Sequence, residues 1–151
     1  MAWAVHEGEL LFVEGCWSEE ERSSMIIAEK ELLASTFGLV SLAPLLPPYV
    51  LSFTDNTVAQ AAMRSMAPRG ETPRLQQLAQ WRTLWLYEHD VMETAHRVTT
   101  TANVWADLGS RGAVDDVICR AVAMGLRPRR VHVPVAWRDT STLVALDEHS
   151  H

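Results

Sequence analysis

The period of apolar and polar positions changes several times along the chain, and each change predicts an element. Trp3-Ala-Val5 and Glu9-Leu-Leu-Phe-Val13 are apolar stretches separated by Glu7-Gly8, with Gly15 after the second. They predict a β-hairpin, which needs further strands or a helix to cover it. Ser18-Glu-Glu-Glu21 has the capping-box pattern and predicts a short turn of helix. Met25, Ile26, Leu32, Leu33, Phe37 and Val40 predict a core-facing helix from Met25 to about Leu42, ended by Pro44, Pro47 and Pro48. Tyr49 to Phe53 is aromatic, β-branched and aliphatic, and predicts a buried strand.

Thr54-Asp55-Asn56-Thr57 follows and opens a helical run from Val58 to Met66, with a turn at Ala67-Pro-Arg-Gly70. Thr72-Pro73 supplies a cap and first-turn proline for a long helix. Its stripe is Leu75, Leu78, Ala79, Arg82, Trp85 and Leu86, widened by Trp81 and Leu84, and its tryptophans read as core. Val91 to Val98 predicts a strand, Thr99 to Ala102 a polar loop, and Asn103 to Arg111 a helix stopped near Gly112. Val114, Val117, Ile118, Ala121 and Val122 form another helical stripe, ended by Gly125. Arg127-Pro-Arg-Arg130 reads as a basic turn. Val131 to Val135 reads as extended, demoted by Pro134 to an edge strand or no strand. The remainder is weakly patterned and expected to fray. The order of elements predicts a mixed α/β sheet with helical cover.

Composition narrows this picture only in part. A chain of 151 residues with 48% hydrophobic and 21% charged residues is of single-domain size and can bury a core. A net charge of −6 supplies no global basic field for nucleic acid. The distribution is uneven: seven acids and one arginine precede Lys30, whereas Arg64, Arg69, Arg74, Arg82 and Arg97 punctuate the middle. Cys16 and Cys119 lack metal-ligand spacing; they pair only if the fold brings them together, and otherwise read as free thiols of a reducing compartment. The histidines show no zinc spacing. No signal peptide or membrane span is apparent, since prolines break Val40 to Leu51. A soluble intracellular protein is expected, with nucleus and cytoplasm not distinguished and no membrane partner.

Three acids on different elements carry the candidate chemistry: Glu31 on the first long helix, Asp55 at a strand tip, and Asp107 on the late helix. Carboxylates gathered from separate elements suit hard divalent cations, which accept oxygen ligands and incomplete protein cages. Each acid also has a plainer reading. Asp55 or Asn56 caps the next helix, Asp107 pairs with Arg111 at i,i+4, and Asn103 caps the helix that holds them. Helical periodicity does not separate Glu31 from Glu29, since both have apolar neighbours three and four positions away.

In order and wording these motifs resemble the type 1 ribonuclease H domain of retroelements, in particular DIRS-type and related reverse-transcriptase polyproteins. The resemblance covers roughly residues 1 to 112 and rests on five segments. These are Ala2-Trp-Ala-Val5, Gly15-Cys-Trp-Ser18, Glu31-Leu-Leu-Ala34, Thr54-Asp-Asn-Thr57, and Asn103, Ala106, Asp107, Ser110 and Arg111. It prefers Glu31 over Glu29. It implies a ribonuclease H-like α/β fold, a mixed sheet with flanking helices, truncated at its N-terminus. The family's first strand, with its own metal-binding aspartate, should precede Trp3. The family's His-x-Pro loop is replaced by Val98-Thr-Thr-Thr101, with His96 one position off.

The implied function is a metal-dependent endonuclease domain cleaving RNA in RNA–DNA hybrids, as part of a reverse-transcriptase polyprotein. Glu31, Asp55 and Asp107 would hold magnesium or manganese and carry catalysis. Asn103 and Arg111 would support them, and Arg64, Arg69 and Arg74 would meet phosphates. Lacking the first aspartate, such a chain holds three of four ligands, which leaves hydrolase activity open. The alternatives are a catalytically inactive, truncated scaffold domain and an unrelated small α/β binding domain. Residues 113–151, a helix and an extended segment, lie outside the resemblance and carry no assigned role.

Overall fold

The computed structural model describes residues 2–15, 17–54, 63, 72–97 and 114–146. Its class is mixed α/β, with small sheets flanked by helices. Strands β1 (Ala2–His6) and β2 (Glu9–Val13) form the expected antiparallel hairpin, with His6 opposite Glu9. Both residues of the two-residue turn have positive φ, 49° at Glu7 and 78° at Gly8. That combination matches the right-handed twist of the flanking strands. Gly8 takes it without strain, whereas Glu7 does so against its Cβ.

Helix α1 (Glu19–Ser24) is capped as the pattern predicts. The Glu21 amide donates to Ser18 Oγ at 3.1 Å, and the Ser18 amide donates to Glu21 Oε1 at 2.7 Å. Helix α2 (Ile27–Leu42) follows, then a 3₁₀ turn (Ala43–Leu45) at the first proline. Strand β3 (Tyr49–Thr54) leads toward the residues outside the description. Helix α3 (Pro73–Glu88) begins with Thr72 as cap, whose hydroxyl accepts the Leu75 amide at 3.3 Å. Strand β4 (Met92–Arg97) lies parallel to β3, from Tyr49 opposite Met92 to Thr54 opposite Arg97. Helix α4 (Val114–Ala123) ends before Gly125, which has φ 79°. Of the helix expected at 58–66 only residue 63 is described, and it is helical; the helix expected at 103–111 lies outside the described residues.

After α4 the sequence expectation fails. Arg127–Arg130 is no turn but strand β5, parallel to β2, with Arg127 opposite Glu9 and Arg130 opposite Phe12. The Arg127 amide donates to Gly8 O at 2.9 Å and the Val131 amide to Phe12 O at 2.8 Å. Charged side chains gave this segment no apolar alternation, and β2 supplies its register instead. Pro128 is tolerated because an edge strand can leave one donor position unused. Residues 131–134 have no regular structure, and Pro134 leads into the short helix α5 (Val135–Arg138).

The last expectation, a fraying tail, is also corrected through residue 146. Helix α6 (Ser141–Val144) places Leu143 at 0% exposure, in a core with Met25, Ala28, Leu32, Leu33, Leu75 and Leu78. Thr140 Oγ1 donates to Glu21 Oε2 at 2.8 Å, tying this segment to α1. The Ser141 amide and hydroxyl, at 3.0 and 2.6 Å, hold the Asp139 carboxyl below its ordinary pKa.

Among the described residues the strands form two sheets, β1–β2–β5 and β3–β4. Strand β2 is covered on both faces, which explains its unbroken apolar run. Leu10 packs with Val117 and Ala121 of α4, while Leu11 and Val13 pack with Leu42 of α2. Helix α2 and the 3₁₀ turn after it also serve the second sheet, where Leu39, Val40 and Ala43 pack with Trp85 and Val50. Its approach to β1 is close: a Cβ on Gly38 would lie 2.6 Å from that of Ala2.

Candidate functional site

The structure separates the two helical acids that periodicity left level. Glu29 is 1% exposed and its carboxylate is fully employed in structure. Oε1 accepts the Ile26 amide at 2.9 Å, capping α2 in the absence of a hydroxyl at the cap position. Oε2 accepts the Thr72 hydroxyl at 2.5 Å, and Arg74 Nη1 stands 3.6 Å from Oε1. Glu29 thus joins the first turns of α2 and α3. Glu31 is half-buried, two positions further along α2 and about 200° around its axis. Of the two acids, only Glu31 retains access to solvent.

Of the other sequence candidates, Asp55, Asp107, Asn103, Arg111, Arg64 and Arg69 lie outside the described residues. Asp55 follows directly on Thr54, the last residue of β3. Arg74 is a correction. It is 8% exposed, not a surface arginine awaiting phosphate. Its guanidinium donates to Leu143 O at 3.2 Å, Ser24 O at 2.7 Å and Val144 O at 2.9 Å. With Glu29 beside it, the planar fork is spent on joining α3 to α1 and the C-terminal turn.

Beneath β3 lies a polar network that pattern reasoning absorbed into a helical stripe. Arg82 of α3 and Glu93 of β4 form a two-point ion pair, with both side chains 2% exposed. Arg82 Nη2 also donates to Ser35 Oγ of α2 at 3.1 Å, and Ser52 Oγ of β3 donates to Glu93 Oε2 at 2.5 Å. Four elements therefore meet at one carboxylate and one guanidinium. The sequence signal was an arginine in the middle of an apolar stripe, since a buried charge requires a partner. Through Ser52, the network fixes the strand that ends immediately before Asp55.

Among the described residues no group of three or more His, Cys, Asp or Glu side chains is placed to hold a metal ion. Two of the three candidate ligands are not among those residues. The donor set itself, three carboxylates, has the hard-oxygen chemistry that magnesium takes. Cys119 is an exposed free thiol. No helix among the described residues is long and apolar enough to cross a membrane. No family model matches the chain, and neither a curated protein nor a solved structure matches it.

Proposed function

We propose that the chain is a ribonuclease H-like domain of a retroelement reverse-transcriptase polyprotein, which cleaves RNA in RNA–DNA hybrids with magnesium or manganese. The observation that carries this reading is an order of elements. An antiparallel hairpin is followed by a helix bearing the solvent-accessible Glu31, then by a parallel strand pair whose first member runs into Asp55. Placing Glu29 in a structural role supports Glu31 as the acid that the motif prefers.

Glu31, Asp55 and Asp107 would hold the cation, which when bound supplies Lewis acidity and an activated water. The chain's own contribution is placement. The Arg82–Glu93–Ser52 network holds β3, the strand that Asp55 follows in sequence, against α2 and α3.

A second reading, a catalytically silent scaffold, is favoured by the division of the described strands into two sheets. Two sheets that share no ladder impose the spacing of acids on different elements less tightly than a two-ion site requires. The deciding experiment is cleavage of a labelled RNA–DNA hybrid with magnesium or manganese, beside Asp55→Asn. Metal-dependent cutting of the RNA strand, lost in the variant, supports the nuclease. A folded sample that cuts nothing supports the scaffold.

A further inference from the structure

The charge of this chain is strongly polarised, and the structure puts its basic part on an edge. Residues 117–138 hold five arginines and no acid, a local charge of +5 that leaves the remaining residues at −11. Three of those arginines lie on β5, the outer strand of its sheet among the described residues. All three are exposed.

Their engagements differ. Arg130 is neutralised by Glu14, with Nη2 2.9 Å from Oε1. Arg127 is opposite Glu9 in register but forms no ion pair among the described residues, and its Nη2 donates only to the Glu7 carbonyl at 3.3 Å. Arg129 has neither hydrogen bond nor ion pair through its side chain among the described residues. Alternation along a strand puts Arg127 and Arg129 on the same side, about 6.6 Å apart along the chain.

We propose that Arg127 and Arg129 make the β5 edge a docking rail for the phosphate backbone of nucleic acid, here an RNA–DNA hybrid. The choice of hybrid rests on the function proposed above. Every cation on the strand is a guanidinium, whose fork takes phosphate and carboxylate alike in two-point contact. The strand edge is what disfavours an acidic polypeptide. A polypeptide at a sheet edge would gain most by adding a strand, and Pro128 with its flanking charges opposes that. The rail is therefore read by side chains and not by the backbone.

The test is binding of a fluorescently labelled RNA–DNA hybrid to the full chain in EDTA, across a series of salt concentrations. For Arg127→Gln/Arg129→Gln we expect affinity at low salt to fall by on the order of tenfold. The slope of log affinity against log salt should flatten by about 2, roughly 0.9 for each phosphate that an arginine no longer neutralises. Arg127→Lys/Arg129→Lys should keep the slope. Wild-type affinity and slope in the glutamine variant would overturn the proposal. So would absence of hybrid binding by the unaltered chain, or equally tight binding of poly-glutamate.

The two proposals fail separately. Arginine-dependent binding without cutting removes the nuclease reading and leaves the rail. Cutting with binding indifferent to the two arginines does the reverse.

Discussion

Arg82 and Glu93 meet as a buried two-point ion pair across the contact between α3 and β4, and neither has an alternative partner of opposite charge among the described residues. Arg82 also leaves its Nε without a hydrogen-bond partner there. Such a pair contributes little net stability relative to apolar packing, because both ions have lost their water. Losing one member is a different matter, since it strands the other charge in a site that cannot hydrate it.

Arg82→Met or Glu93→Leu alone should therefore destabilise the fold by about 3–5 kcal/mol. The double variant should lose much less than the two single losses together, since no orphan charge remains. Urea unfolding of the four proteins closes the cycle. Additive losses would show that the two side chains do not act as one buried unit.

The roles of Glu29 and Glu31 predict opposite profiles. Glu29→Gln keeps the shape of the side chain but weakens two charge-assisted hydrogen bonds and the Arg74 pair. It should cost about 1–3 kcal/mol. Glu31→Gln, at a half-buried position, should cost less stability than Glu29→Gln. Under the proposed nuclease function it should also abolish hybrid cleavage. Thermal melts and the cleavage assay on both variants check this, and a reversed pattern would assign the site to Glu29.

Much of this architecture was legible in the sequence because local rules and tertiary packing agreed. The Glu7-Gly8 turn, the Ser18–Glu21 box and the Thr72-Pro73 start are short-range signals, and each stands where the pattern put it. What escaped depends on distant partners. Strand β5 has no apolar pattern of its own and exists because β2 offers it hydrogen bonds. Arg74 resembled any other mid-chain arginine until Glu29 and three carbonyls from two other segments surrounded it. Leu143 opens a run of four apolar residues, Leu143 to Leu146, which is too short for periodicity to assign to an element. Of the proposed site, sequence supplied the residue types and order, whereas the distinction between Glu29 and Glu31 needed Thr72 and Arg74 in space.

Gly38 provides a test of how closely α2 lies on β1. Alanine is ordinarily the better helix former by about 0.8–1 kcal/mol. Here its Cβ would meet that of Ala2 at 2.6 Å, and neither group has a rotamer through which to escape. Gly38→Ala should therefore destabilise by about 1–3 kcal/mol in spite of the propensity gain. Hydrogen exchange should place the loss of protection in β1 and its hairpin partner. A variant as stable as wild type, with unchanged protection in β1, would show that the strand yields at no cost.

Leu143 tests whether the C-terminal segment belongs to the same cooperative unit as the first helices. It is fully buried between α1, α2 and α3, beside the carbonyls that hold the Arg74 guanidinium. Leu143→Ala would open a cavity at that junction, at a cost of about 2–5 kcal/mol depending on how far the site collapses. Because Arg74 donates to the carbonyls of Leu143 and Val144, movement of this turn should also loosen the hold of α3 on α1. A single unfolding transition shifted by that amount is expected, with urea dependence of the same slope. If truncation after residue 138 leaves stability unchanged, or if Leu143→Ala is silent, the segment is an appendage and not part of the core.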